Sequence, residues 1–386
     1  MSKRAVNLLI FAGFILTTVD LFFAIFVLDY HKILFNKRVL GVFTQNLTLK
    51  AIDVPKQCVV EDSFKSLIVP KEDLSPFFGL NNKFGIYIFS DVNEINLASN
   101  LVNSNGGDWG YVLMPYYVRD YNKGRWQEVF RNLCQKHLIP IIQLTALEET
   151  PTAEDIFKSA QFLNSLYWPA KTKIISAYNE TNDKKFWGGK IDPKYYSQVL
   201  NSTIETFKGL DPNFFILNGA FNASARSGPD YLDEKEYLVE MNREVPGIFA
   251  KLDGWASHPY PQPDFKGDLD TDGRDGIRAY SWEIDLLRNL FDVKNLPVFI
   301  TETGWAHEEG ETIQPSYLKA EVVAELLRKA YEEVWLPDER VVAVTPFILK
   351  MKEADNFSWI DSSGNPYPQF EVVKEMEKLP GFPDRI

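Results

Sequence analysis

The stretch LPVFITETGW, residues 296–305, begins as a buried strand and ends as something else. Its first six residues are apolar or β-branched apart from the proline, the pattern of a strand covered on both faces. A carboxylate, Glu302, then stands between two threonines, with Gly304 and Trp305 behind it. An acid at a strand end is most often a surface residue that opens a loop. Whether that holds here depends on the rest of the chain.

Working outward, runs of the same kind recur: FGIYIF (84–89), WGYVLMPY (109–116), LIPIIQLT (138–145), KIISAY (173–178), FFILNGAF (214–221), LDGWASH (252–258) and VVAVTPFIL (341–349). Amphipathic segments such as GRWQEVFRNLCQKH (124–137) and PKYYSQVLNSTIETFKGL (193–210) separate them. Strict alternation of strand and helix implies a parallel sheet with crossover helices. Eight such units in roughly 300 residues fit a (β/α)8 TIM barrel, class α/β, better than an open doubly wound sheet. No G-x-G-x-x-G follows the first strand, which argues against a dinucleotide site. The barrel is expected over residues 83–386.

Ahead of it, residues 5–28 form a largely apolar run whose one charged residue is Asp20. As a helix this run would span about 36 Å, enough to cross a ~30 Å hydrocarbon core. Residues 1–28 are therefore read as a cytoplasmic stub and transmembrane anchor, with a cleaved signal peptide as the alternative. Residues 29–82 read as a tether or collar. Lys3 and Arg4 before the run, against Lys32, Lys37 and Arg38 after it, leave the orientation undecided by charge.

The chain's 386 residues carry a net charge of −12 with acids and bases interspersed, and no basic stripe suits a nucleic acid. The two cysteines, Cys58 and Cys134, and only four histidines make a Cys/His metal site poorly supported, so neither metal nor cofactor is implied. A disulfide between the cysteines is open outside the cytoplasm.

A barrel of this kind places its chemistry at the carboxyl ends of the strands. Strand four runs into Asn179 and Glu180, strand seven into Glu302, strand six into His258 and Tyr260, and strand three ends near Gln143 and Thr145. Two carboxylates on different strands at one rim are what glycosidic cleavage requires. One protonates the leaving oxygen, and the other attacks the anomeric carbon or activates water.

At these positions the sequence resembles the clan A glycoside hydrolases, most closely families 39 and 5. AYNETNDKKFW (177–187) is similar to the Asn-Glu-Pro-Asn…Trp segment after their strand four. VFITETGW (298–305) resembles their strand-seven nucleophile segment, WASHPYP (255–261) their strand-six segment, and DPNFFILNGAF (211–221) their strand-five region. The resemblance implies a retaining mechanism with Glu180 as acid/base and Glu302 as nucleophile. It makes Asn179 the partner of the sugar 2-hydroxyl and gives Tyr260 or His258 the task of orienting Glu302. It further implies that Glu302 is the ionised member and Glu180 the protonated one. Arg119 would take the place of a strand-two arginine, and Trp187, Trp305 and Trp359 would contact sugar. Thr181 departs from the usual proline, and strand eight carries Lys350 with Trp359 only after a loop, where relatives place tryptophan directly.

The partners implied are an oligo- or polysaccharide and, through the N-terminal helix, a membrane. Because such substrates lie mostly outside the cytoplasm, the barrel is expected on the extracytoplasmic side of a single-pass anchor. A glycan-binding barrel without catalysis and a transglycosylase are the alternatives.

Overall fold

In the computed structural model, which describes residues 81–383, each of the eight apolar runs forms a strand. In chain order the strands are β1 (Lys83–Tyr87), β2 (Gly110–Tyr117), β3 (Leu138–Thr145), β4 (Lys173–Ala177), β5 (Phe214–Asn218), β6 (Trp255–Ser257), β7 (Val298–Ile300) and β8 (Val341–Val344). The helices are α1 (Val92–Val102), α2 (Lys123–Gln135), α3 (Ala153–Asn164), α4 (Pro193–Leu210), α5 (Glu234–Glu244), α6 (Ala279–Phe291), α7 (Ala320–Ala330) and α8 (Pro368–Glu375).

All strand pairs are parallel, in the order β5-β4-β3-β2-β1-β8-β7-β6. Only the seam between β5 and β6 lacks a regular ladder, and side chains close it. Asn218 donates to the carbonyl of Ala256 at 3.0 Å and accepts from its N–H at 2.8 Å, while Asp253 accepts from the N–H of Ile216 at 2.8 Å. A buried asparagine thus stands in for a stretch of backbone pairing, and the barrel is nearly closed.

The core has two layers. Inside the strands pack Tyr111, Leu113, Ile141, Ile174, Leu217 and Phe299. Between strands and helices lies the larger shell, including Ile86, Val112, Ile142, Ile175, Ile216 and Ile300. Alternate residues of one strand therefore face opposite layers, and both are apolar. This is why the strands read as continuous apolar runs. Local chemistry fixes the helix starts: Thr152 and Asp155 form a reciprocal capping box on α3, and Asp192 caps α4 ahead of Pro193.

The expected anchor at residues 5–28 lies outside the described residues, as does the tether except for Asn81 and Asn82. Among the described residues no helix is long and apolar enough to cross a membrane. Cys134, on α2, is disulfide-bonded. Cys58, the chain's other cysteine, lies outside the described residues.

Candidate active site

At the carboxyl end of β4 the backbone leaves the regions that L residues favour. Tyr178 and Glu180 both adopt positive φ, at 77° and 37°. Neither is a glycine, so each conformation costs roughly 1–3 kcal/mol and must be imposed by its surroundings. The Glu180 N–H donates to the carbonyl of Ala220 at 2.8 Å, and the Glu180 carbonyl accepts from Asp183 at 2.8 Å. Beyond this bend the Glu180 carboxyl meets His258.

Glu302 is held by its two neighbours. Thr301 and Thr303 are completely buried. The Thr301 N–H donates to the carbonyl of Ser257 at 3.0 Å, and the Thr303 hydroxyl donates to the carbonyl of Pro259 at 2.8 Å. These bonds splice the β7 end to the β6 end and leave Glu302 projecting between them, 8% exposed. Gly304, at φ 136°, makes the turn that follows.

His258 joins the two acids. Its Nδ1 lies 3.0 Å from Glu180 Oε1 and 3.7 Å from Glu302 Oε2, so the two carboxyl oxygens lie within the sum of those distances of each other. The Tyr260 hydroxyl donates to Glu302 Oε2 at 3.0 Å. The Gln143 amide, from the end of β3, donates to Asn179 Oδ1 at 3.0 Å. The structure thus brings together Asn179, Glu180, His258, Tyr260 and Glu302.

Burial pushes the Glu302 carboxyl up from its ordinary range. His258 pulls it down, Glu180 adds to the rise, and the Tyr260 and Gln143 donors pull down again. The expectation that Glu302 is simply the ionised member therefore meets an opposing desolvation, which its three partners must offset. For His258 the balance is the reverse. Burial alone would depress it, but Glu302 and Glu180 outweigh that, and its affinity for a proton is raised. Tyr260 is pushed well above the ordinary phenol range by burial and then by the facing carboxylates, so it stays a donor.

Four expected contacts fall elsewhere. Arg119 lies beyond β2 and is bound to Asp155 on α3 at 2.9 and 3.0 Å and to Glu149 at 3.1 Å, so its guanidinium is already occupied outside the acid pair. Trp187 is completely buried, edge-on to Tyr178 and Tyr196 with ring centroids 5.3 Å away in each case. Trp305, 2% exposed, donates its indole N–H to the carbonyl of Gly267, and Trp359 is equally buried. None of the three tryptophans offers a ring face to a ligand.

Aromatic surface at the rim comes from phenylalanines instead. Phe347, just past β8, and Phe357 pack with Tyr87, Tyr260 and Phe265 at centroid distances of 5.1–6.0 Å and remain partly exposed. The signal for Phe347 was its place at the strand end in TPFIL. Phe265 and Phe357 sit in loops that no periodicity marks.

No protein-family model matches the sequence, and no curated protein matches it. Solved structures do. A monomeric β-xylosidase from Caulobacter crescentus CB15 is 16% identical, with a TM-score of 0.53 over 77% of this chain and 68% of that one. Two endo-β-1,3-glucanases of glycoside hydrolase family 128, subgroup II, match at a TM-score of 0.50. The one from Pseudomonas viridiflava is 13% identical over 78% of this chain and 99% of its own. The one from Sorangium cellulosum is 12% identical over 76% and 98%. At these identities the likeness is one of fold. The chain is a barrel of the kind those enzymes use.

Proposed function

We propose that this protein is a retaining glycoside hydrolase of the clan A type, related to families 39 and 5, and that a membrane anchor holds it facing an extracytoplasmic glycan. The observation that carries the reading is the shared histidine. Two carboxyl groups from separate strand ends meet one Nδ1, at 3.0 and 3.7 Å, in a largely buried rim. The sum of those distances, an upper bound on the oxygen separation, falls only at the lower edge of the ~6.5–9.5 Å an inverting pair needs, which favours the ~5–5.5 Å of a retaining pair. The likeness in fold to a β-xylosidase and to endo-β-1,3-glucanases supports a saccharide substrate.

In the first step Glu302 attacks the anomeric carbon while the bond to the leaving oxygen breaks. Glu180 gives that oxygen its proton. His258, 3.0 Å from Glu180, keeps its proton through both steps. Its positive charge and the Tyr260 hydroxyl hold Glu302 ionised until attack. Once Glu302 is an ester, Glu180 takes a proton from water, the oxygen adds to the anomeric carbon, and Glu302 leaves as carboxylate. The Gln143–Asn179 bond fixes the amide that would meet the sugar 2-hydroxyl.

The anomer released first from aryl glycosides, followed by proton NMR, tests this. Retention of configuration supports double displacement, and inversion or the absence of any turnover across aryl xylosides, glucosides and arabinosides contradicts it.

A further inference from the structure

Behind His258 lies a second pair of acids that the proposed reaction leaves unused. Glu234 opens α5 and Glu283 sits in mid-α6, and both are completely buried. None of their four carboxyl oxygens closes a hydrogen bond of acceptable geometry among the described residues. The two carboxyl groups nonetheless face each other, and the Ser257 hydroxyl and the Trp255 indole N–H face Glu283 from β6. Arg274 stands nearby, but its guanidinium is committed to Asp233 and to the carbonyls of Ala223 and Ala225.

Two carboxylates in contact in a dry interior cannot both be charged, since desolvation and mutual repulsion act in the same direction. One proton held between them removes the repulsion and leaves one negative charge, as in other carboxyl dyads. On the rim side the group that feels this charge is His258, which Glu302, Glu180 and Glu283 all favour in its protonated form. Its side chain has no exposed surface, with Nδ1 on the rim acids and Nε2 buried without a partner among the described residues. The two nitrogens of an imidazole diverge, so Nε2 is turned away from the rim.

We propose that Glu234 and Glu283 share one proton, and that the negative charge they keep positions His258, holding its ring protonated with Nδ1 toward the rim while Glu180 and Glu302 change charge. Glu283 is the member whose charge acts on the ring, and it acts through His258 as a positioning residue. The need for it appears in mid-reaction. When Glu302 becomes a neutral ester, His258 loses a rim charge that favoured its protonation, and the buried charge remains. Burial, offset in part by Ser257, Trp255 and Glu234, pushes the Glu283 carboxyl up to about 7, and burial with Glu283 drives Glu234 well above the ordinary range, which agrees with a shared proton. The charged or titratable groups around the assembly are Glu180, Glu302 and Tyr260 on the rim side, and Asp233 and Arg274 on the helix side.

This assignment rests on the glycosidase reading for its purpose, but its test does not. Imidazole titration of His258 by NMR on the full chain should fall by about one pH unit in Glu283→Gln and at least as far in the double Gln variant. It should stay close to the wild type in Glu234→Gln, which leaves the charge on Glu283. In the wild type, infrared spectra at pH 7 should show the band of a protonated buried carboxyl that Glu234→Gln removes. This second readout serves if Glu283→Gln does not fold. An unchanged His258 titration in Glu283→Gln, or no protonated-carboxyl band in the wild type, overturns the proposal. In turnover, Glu283→Gln should lower kcat about tenfold with KM little changed and move the alkaline limb of the pH profile downward. A protein that shows the titration shift and the band, yet releases no sugar, counts against the glycosidase reading alone.

Discussion

Two pairs of glutamates flank the β6 end, and they differ in what surrounds them. The rim pair, Glu180 and Glu302, has a histidine at 3.0 and 3.7 Å and a tyrosine hydroxyl at 3.0 Å, and keeps a fraction of its surface open. The inner pair, Glu234 and Glu283, has no bonded partner among the described residues and no open surface. The same side chain is thus prepared for different work by its surroundings. Donors and an imidazole favour the charged form of a carboxyl, whereas full burial against a second carboxyl favours a proton on one of the two.

The largest effect should come from the rim. Glu180→Gln should lower kcat by about 10²–10⁴-fold, with the loss much smaller for the first step on substrates whose leaving group needs no proton, as burst kinetics on dinitrophenyl glycosides would reveal. An equal loss for all leaving groups would deny Glu180 the acid role. Tyr260→Phe comes next. It removes a donor to a carboxylate, worth about 1.5–3 kcal/mol, so kcat/KM should fall about 10–100-fold. Because that donor holds Glu302 down, the acidic limb of the pH profile should move to higher pH.

The inner pair should speak through stability. The proton that the pair shares stays bound in the folded chain well above the ordinary 4.5 at which an unfolded glutamate loses it, because burial and Glu283 hold the Glu234 carboxyl up. The folded state then binds more protons above that pH, so stability is full below pH 4.5 and declines as pH rises past it. Thermal unfolding of Glu234→Gln, which removes the carboxyl that holds the proton, should lose this slope. A wild type whose stability rises as pH climbs past that point would break the contrast between the pairs. The smallest effect should be Arg119→Ala. This half-exposed arginine serves the α3 start, so the variant should lose little stability and leave KM for saccharides unchanged.

The barrel was legible because both layers of its core are apolar, which writes each strand as an unbroken run such as LIPIIQLT. The rim acids were legible because Glu180 and Glu302 interrupt such runs at their ends. The inner pair was not, since Glu234 lies in DEKEY among acids that look solvated. Glu283 left a trace: it shares a helical face with Tyr280 and Leu287, both buried. The tryptophans misled for a related reason. Ring size marks them equally as core fillers and as sugar platforms, and Trp187, Trp305 and Trp359 fill core. The seam residue Asn218 was hidden too, because no period distinguishes a side chain that replaces backbone pairing from one that faces solvent.

The most direct test of the central claim is mass spectrometry of the barrel after incubation with activated 2-deoxy-2-fluoro glycosides, which stall a retaining enzyme at its ester. The account predicts a glycosyl adduct on the peptide that contains Glu302, absent in Glu302→Gln. An adduct on another carboxyl, or none on a protein that turns over the matching unfluorinated glycoside, would contradict it.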